Sequence, residues 1–427
     1  LFGTSDFTLR LVEALFGAVL IFVPLLLRPR LGNVGALLVA GMLAFSPTML
    51  YFSRFARNDI FMAVWTLALV GVVWRYMDEK QTKWLYAAAV LMALGFATKE
   101  SQFIVVALVG LGLLALSWKE LGEWIWGQRY LNEFSSSGIL VIVLGAMTLP
   151  MLGAFSGIFQ DTFGITLAAT EGTTGLATGE AEGMGIIVAL IITGVLSAIS
   201  LAIILRWNLK IGLILMAIFW VITFLLFTSL GTNLIGITSG VWQSLGYWVG
   251  QQDVRRGSQP WYYYFVITPL YEFVPLAIAS VGGMYYLIKG SVVGRFLTGW
   301  CVLNLLFYSI AAEKMPWLLV HITLALTVLG GYTLGQLADR LTQYYERRFD
   351  MWVWAIPVLV VGILLFAARL LSVDIGAGSM IDRFVRPSIL WIVLVGLVSC
   401  LAYIFSRTDR RVCGAIVGFS LVILFGF

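Results

Sequence analysis

An all-α, polytopic transmembrane helical bundle is the fold class this sequence predicts, and three observations predict it. Of the 427 residues, 60% are apolar and only 11% are charged. Apolar runs approaching the ~20 residues that a spanning helix needs recur from one end of the chain to the other. The runs show no period-two alternation, and backbone in hydrocarbon must satisfy its hydrogen bonds within the segment, so they read as helices and not as barrel strands. Stretches between runs are too short to bury a core of their own, since domains need ~50 residues or more. A single transmembrane domain over residues 1–427 follows. The formal charge of +5 is scattered, which excludes the one-sided basic face of a nucleic-acid binder.

Taken in order, about fourteen apolar segments lie near residues 11–27, 34–52, 59–77, 84–98, 102–118, 138–156, 185–205, 211–231, 262–288, 295–312, 316–337, 351–371, 388–406 and 411–427. Pro24, Pro47, Pro150, Pro269, Pro275 and Pro357 fall inside segments or near their ends, where bundles tolerate a kink because neighbouring helices satisfy the freed backbone groups. Cys301, Cys400 and Cys413 sit far apart inside apolar runs and read as small buried hydrophobes, not as disulfide or metal ligands. The chain opens on Leu1 and a polar turn, and an additional spanning helix is expected ahead of it.

Orientation follows from the basic residues. Alternate turns carry Arg28 and Arg30; Arg75, Lys80 and Lys83; Lys119 and Arg129; Arg206 and Lys210; Lys289 and Arg295; Arg340, Arg347 and Arg348; and Arg407, Arg410 and Arg411, which is 17 of the 27 Lys and Arg residues. These turns are cytoplasmic by the positive-inside rule. The opposite turns include two outward-facing loops. Residues 157–184 have no Lys or Arg and carry Asp161, Glu171, Glu180 and Glu182, and residues 232–261 carry Asp253, Arg255 and Arg256.

The outward turns hold the candidate site. Ser53-Arg54-Phe55-Ala56-Arg57-Asn58-Asp59 puts three charges between two apolar runs, and charge at that depth is costly enough to mark function. The plainer reading is a polar turn whose charges pair with one another and with lipid headgroups. Lys99, in Thr98-Lys99-Glu100, lies two crossings further on and shares that face. Its segment is ~22 Å long at ~1.5 Å per residue, short of a ~30 Å hydrocarbon core, which recesses Lys99 below the surface. Arginine's planar fork and lysine's compact charge together suit a phosphate, and the depth suits a lipid-linked one. Trp261-Tyr262-Tyr263-Tyr264 reads as an interfacial belt. Glu272, about ten residues into the same segment, should face a cavity or a cation, with Arg255, Arg256 or Lys314 as partners. His321 is the one histidine and follows Glu313-Lys314-Met315-Pro316-Trp317. Alone, it reads as a core residue before a ligand, and there is no zinc site around it.

On these residues the chain resembles a known family. Gly3-Thr4-Ser5-Asp6-Phe7-Thr8-Leu9-Arg10-Leu11 looks like the "G-x-S-x-F-x-x-R-L" start of multi-spanning glycosyltransferases of the GT-C superfamily. Ser46-Pro47, Tyr51-Phe52-Ser53-Arg54 and Asp59, followed by Thr98-Lys99, resemble its protein O-mannosyltransferase and aminoarabinose-transferase branches. Tyr262 to Glu272 and Glu313-Lys314-Met315-Pro316-Trp317 with His321 look most like the branch of flippase-activity-associated proteins.

The resemblance implies a lipid-linked sugar glycosyltransferase that takes a polyprenyl-phosphate sugar at the outer membrane face, as a multi-pass protein of the cell (plasma) membrane. Asp59 would play a supporting catalytic part, the main carboxylate base being expected upstream of Leu1. Arg54, Arg57, Lys99, Glu272, Lys314 and His321 would bind substrate and its phosphate. The expected partners are the polyprenyl-phosphate-linked sugar and membrane lipids, with no nucleic acid. No cofactor is required, and a divalent metal is left open. The alternative is a flippase-associated or scaffold subunit, bound to other membrane subunits and without transferase chemistry.

Overall fold

The computed structural model describes residues 5–169, 178–254, 259–344, 355–371, 386–407, 413–414, 416–418 and 420. Every regular element among them is helical, and the chain divides into two compact units, Leu1–Gly335 and Gln336–Phe427.

The first unit begins with α1 (Asp6–Phe22). Its Ser5 hydroxyl accepts the Thr8 N–H at 3.2 Å while the Thr8 hydroxyl accepts the Ser5 N–H at 3.1 Å, a reciprocal cap that satisfies two otherwise unpaired donors. A 3-10 turn, Val23–Leu27, leads to α2 (Arg28–Phe45). Gly32 leaves the helical path there at φ 77°, a conformation open to glycine, and α2 packs back on α1. Ser46 caps α3 (Pro47–Phe52), its hydroxyl accepting the Met49 N–H at 3.1 Å. After the polar turn come α4 (Asp59–Glu79), α5 (Thr82–Thr98) and α6 (Ser101–Ile125). α7 (Ser136–Thr148) passes through a 3-10 stretch, Leu149–Phe159, into the single turn α8 (Gln160–Phe163).

α9 (Met184–Trp207) and α10 (Leu209–Phe227) meet at Asn208, whose side-chain oxygen accepts the Ile211 N–H at 2.9 Å. A short turn, α11 (Gly236–Thr238), continues through a π-helical turn, Ser239–Gln243, into α12 (Ser244–Val254). α13 (Tyr263–Tyr271), α14 (Phe273–Lys289) and α15 (Val292–Ile310) follow, and a Pro316–Leu318 3-10 turn opens α16 (Leu319–Tyr344). In the second unit α17 (Ala355–Leu371) packs against α18 (Arg386–Arg407) around Ile356, Val360 and Ile404.

Among the described residues, eight helices are long and apolar enough to cross a membrane, or nine with the bent pair α13–α14 counted as one span. The protein is a multi-pass integral membrane protein. The expected count of about fourteen is not reached among the described residues. The first two expected segments correspond to α1 and α2, which follow one another in one 40-residue apolar stretch with the break at Gly32 inside it, and α5 and residues 390–404 are shorter than a span. The last expected segment, 411–427, lies mostly outside the described residues. The segment expected as one helix over 262–288 is instead broken by a 110° bend, with Pro269 inside α13 and Pro275 in the first turn of α14. The loop expected over 232–261 is largely helical, as α11 and α12. Arg255 and Arg256 lie outside the described residues, as do residues 170–177 of the loop 157–184.

α4 and α16 are the most enclosed spans, while α9 keeps most of its surface free for lipid. Small residues set the approach of α2 to α16. A Cβ on Gly335 would lie 2.5 Å from the Gly35 Cα, and one on Gly331 would lie 2.8 Å from the Val39 N. Both obstacles are backbone, so only glycine permits this spacing. Gly335→Ala is expected to destabilise by roughly 1–3 kcal/mol through overpacking. Gly299→Ala, with nothing within 4 Å of its Cβ, serves as the control. SDS-titrated unfolding of both variants in micelles checks this, and equal stability would show that the α2–α16 contact is loose.

Candidate functional site

The charged residues expected on one face assemble where α4 and α6 begin and α5 ends. Asp59 is the first residue of α4 and is fully buried, at the positive end of the helix dipole. Its two carboxylate oxygens are shared between two cations: Arg57 Nε donates to Oδ2 at 3.2 Å and Lys99 Nζ donates to Oδ1. Lys99 is brought there because α5 stops after 17 residues. The stop is tied to α4, since Asn58 Nδ2 donates to the Thr98 carbonyl at 2.7 Å and Trp65 Nε1 donates to the Thr98 hydroxyl at 3.2 Å. Lys99 is then extended, at φ −165° and ψ 150°, and its side chain is only 12% exposed.

A distant part of the chain closes over this cluster. The Arg57 guanidinium lies 3.5 Å from the centroid of the Trp317 ring, where the ring face attracts a cation. Trp317 is held by the preceding link: the Tyr264 hydroxyl donates to the Met315 carbonyl at 2.9 Å and accepts the Met315 N–H at 3.0 Å. Buried Lys314 donates to the Ala311 carbonyl at 2.6 Å, and Gln252 Oε1 accepts the Ala312 N–H at 3.1 Å. Glu100 is half-buried beside Lys99. Burial pushes its carboxyl above the ordinary range, Lys99 opposes this, and Glu313 and Asp59 add to it.

Arg54 does not join. Its side chain is exposed with no hydrogen-bond or ion-pair partner among the described residues, and it lines a separate opening with Arg10, Tyr51 and Phe55. Glu272 does not face Lys314. It sits at the α13–α14 break, fully buried, and accepts the Ser46 hydroxyl at 2.6 Å and the Thr48 N–H at 3.0 Å. The bend that replaces a continuous helix turns its carboxylate towards the start of α3, whose first N–H groups need acceptors. Pairing of Glu272 with Arg255 or Arg256 falls outside the described residues. His321, 2% exposed, stacks on Tyr308 with centroids 5.4 Å apart and planes 14° apart. Among the described residues no group of three His, Cys, Asp or Glu is spaced to hold a metal ion.

Sequence reasoning overlooked Trp317 as the cover of Arg57, Tyr264 as the pin of Met315, and Ser46 and Thr48 as the partners of Glu272. Ser46 and Trp317 already stood within singled-out motifs, so the signal was present without the pairing.

From the edge of this cluster an apolar groove of about 610 Å³ runs along α6, from Glu100 and Phe103 to Trp124, with Leu152, Trp248 and Phe307 across from it. At ~1.5 Å per residue the stretch from Phe103 to Trp124 is ~30 Å long. The basic turns gather at the other end of α4. There Arg30 pairs with Asp78, Arg75 donates to Glu79 at 2.8 Å and to the Leu26 carbonyl at 2.9 Å, and Lys83 lies 3.7 Å from Glu79.

Residues 1–145 match the family described as dolichyl-phosphate-mannose-protein mannosyltransferase. That stretch carries Ser46-Pro47, Arg54, Asp59 and Thr98-Lys99, and over it the resemblance to GT-C superfamily membrane glycosyltransferases holds. Among solved structures, ArnT from Cupriavidus metallidurans in the apo state is 16% identical with a TM-score of 0.46, over 98% of this chain and 60% of that one. The archaeal oligosaccharyltransferase AglB from Archaeoglobus fulgidus, in complex with an inhibitory peptide and a dolichol-phosphate, is 14% identical with a TM-score of 0.43, over 96% of this chain and 45% of that one. The chain thus spans 60% and 45% of the lengths of these two structures. No curated protein matches it, and none of these comparisons bears on the flippase-associated branch.

Proposed function

We propose that the protein is a lipid-linked glycosyltransferase that binds a polyprenyl-phosphate sugar with its phosphate at Arg57 and Lys99, on the outer face of the membrane. The observation that carries this reading is the buried cluster in which one carboxylate, Asp59, holds two cations. The cluster has a net charge of +1, which complements the single negative charge of a phosphodiester. Both Asp59 oxygens are engaged, so its part is to aim the two cations and not to take a proton. The groove along α6 begins at Glu100, next to Lys99, and its apolar lining suits an isoprenoid chain. The outer placement rests on the basic turns lying at the opposite end of α4.

The reaction is an inverting displacement. An acceptor oxygen attacks the anomeric carbon and gives its proton to a carboxylate base. The bond from that carbon to the phosphate oxygen breaks, and the lipid phosphate leaves with the electron pair. Arg57 and Lys99, already oriented, stabilise the charge that develops on the leaving oxygen.

Arg57→Gln tests the reading most cleanly, because Lys99 remains on Asp59. Affinity for dolichyl phosphate is expected to fall by about 1.5–3 kcal/mol, the size of a charge-assisted hydrogen bond. Stability should change by about 1 kcal/mol or less, since the lost pair is partly exposed. Unchanged affinity, measured on purified protein in detergent, would sink the phosphate assignment. Sugar release from the same lipid, followed in parallel, separates a transferase from a flippase-associated or scaffold subunit, which would bind without turnover.

A further inference from the structure

Two arginines stand apart from the ion cluster and pair with nothing. Arg10, in the second turn of α1, and Arg54, just after α3, are both exposed, and neither makes a hydrogen bond, ion pair or ring contact among the described residues. α1 runs in the same direction as α4. Phe16 meets Phe61 and Trp65 edge to face, and further along Arg75 donates to the Leu26 carbonyl. Arg10 therefore lies at the same end of the bundle as the start of α4 and the ion cluster.

Arg10 and Arg54 line one opening of about 410 Å³ together with Leu50, Tyr51 and Phe55. Tyr51 and Phe55 stack there with centroids 5.6 Å apart and planes 21° apart, and both rings are exposed, as aromatic residues are at the headgroup level of a bilayer. Arg54 and Leu50 also line a second opening of about 260 Å³, a crevice between α1 and the end of α2 walled by the small residues Ala14, Gly17, Ala18 and Ala44. Leu15 and Val19, beside it on α1, are exposed, so the crevice opens towards lipid. Among the described residues no acid lines either opening, and the α1 acids Asp6 and Glu13 are absent from both.

A guanidinium presents a planar fork of donors that matches phosphate oxygens, and here two of them converge from separate elements. With no carboxylate in either opening their charge is uncompensated, which favours an anionic headgroup over a zwitterionic one, whose ammonium they repel. The small-residue walls leave a narrow slot that suits an unbranched acyl chain, whereas a methyl-branched isoprenoid needs more width. Arg54 belongs to both openings, so the headgroup and the chain of a single molecule are served together.

We infer that Arg10 and Arg54 bind the phosphate of an anionic phospholipid, in the leaflet on the ion-cluster side, with one acyl chain in the crevice between α1 and α2. This site is separate from the donor site at Arg57 and Lys99 and does not rest on the proposed function. A phospholipid held there ties α1 to the turn that carries Arg57 and Asp59, and so supports that turn from the lipid side.

The test titrates phosphatidylglycerol, phosphatidylcholine of the same chains and inorganic phosphate against the purified full chain in detergent. The wild-type protein is expected to bind phosphatidylglycerol about tenfold or more tightly than phosphatidylcholine, since each arginine contributes roughly fivefold towards an anionic lipid. Arg10→Gln combined with Arg54→Gln should abolish that preference while leaving affinity for dolichyl phosphate within about twofold. Each single change should lower the preference roughly fivefold, which decides the matter if the double variant does not fold. Ala18→Phe fills the crevice and keeps both arginines, and it should weaken phosphatidylglycerol binding severalfold. Equal affinity for the two phospholipids, or a preference that survives removal of both arginines, overturns the site. Inorganic phosphate that displaces phosphatidylglycerol at equal concentration, or an Ala18→Phe protein that binds it as wild type does, means that an anion is held without its lipid and overturns the acyl slot. A fall in dolichyl phosphate affinity as large as the fall for phosphatidylglycerol returns Arg54 to the donor site and overturns the separate one.

Discussion

Lys99→Met is expected to destabilise the protein by about 3–5 kcal/mol, the cost of stranding one member of a buried ion pair. Asp59 is fully enclosed, and Lys99 is the better buried of its two cations, at 12% exposure against 31% for Arg57. Without Lys99 the carboxylate keeps a single partner at 3.2 Å in a poorly solvated setting. Asp59→Asn combined with Lys99→Met should therefore recover most of the loss, because the buried carboxylate is then gone and Arg57, 31% exposed and lying over the Trp317 ring, is the one charge that loses a partner. SDS-titrated unfolding of the two single variants and the double variant measures the coupling directly. A Lys99→Met protein as stable as wild type, or a double variant no better than the single, would mean that the pair is solvated and that Asp59 does not depend on Lys99.

Glu272→Ala should cost roughly 2–4 kcal/mol, since it removes the acceptor of two buried donors, each worth ~1–3 kcal/mol when left unpaired. The donors are the Ser46 hydroxyl and the Thr48 N–H, which head the short helix leading into Arg57 and Asp59. The same variant should therefore lower affinity for dolichyl phosphate although Glu272 makes no contact with Arg57 or Lys99. Glu272→Gln, which keeps an acceptor oxygen, should lose about half as much stability. Wild-type stability and affinity in Glu272→Ala would remove Glu272 from the support of the site.

Much of this was legible in the chain. Composition decides the class, because so little charge and so many apolar runs leave no other fold to stabilise. Asp59 and Lys99 were readable as neighbours because they stand two crossings apart, and an even number of crossings returns the chain to the same face. The choice between Arg54 and Arg57 was not readable. They are three residues apart in an irregular turn, and the backbone path alone sends one to Asp59 and the other to the surface. The partners of Glu272 were hidden for a different reason. A search for its counterion looks among cations, whereas a hydroxyl and a backbone N–H bind its Oε1 without any charge. The break itself was foreshadowed only as a kink, since Pro269 and Pro275 announce lost hydrogen bonds but not the angle that results. Segment counting ran high because an apolar run records hydrophobicity and not length across the bilayer, as the 17-residue α5 illustrates.

The bond from Glu272 to Ser46 spans 226 positions of the chain, and this sets an order of assembly. Chains are made from the N-terminus at about 5–20 residues per second, so Ser46 waits roughly 10–45 s for its partner to be synthesised. Trp317 reaches Arg57 later still. Asp59 and Lys99 are only 40 positions apart and can neutralise each other as soon as the α4–α5 hairpin enters the membrane. The ion pair thus shelters both charges from lipid during synthesis, before the aromatic cover and the carboxylate latch exist. A chain interrupted before residue 272 would carry the pair in place on a loop that nothing yet holds.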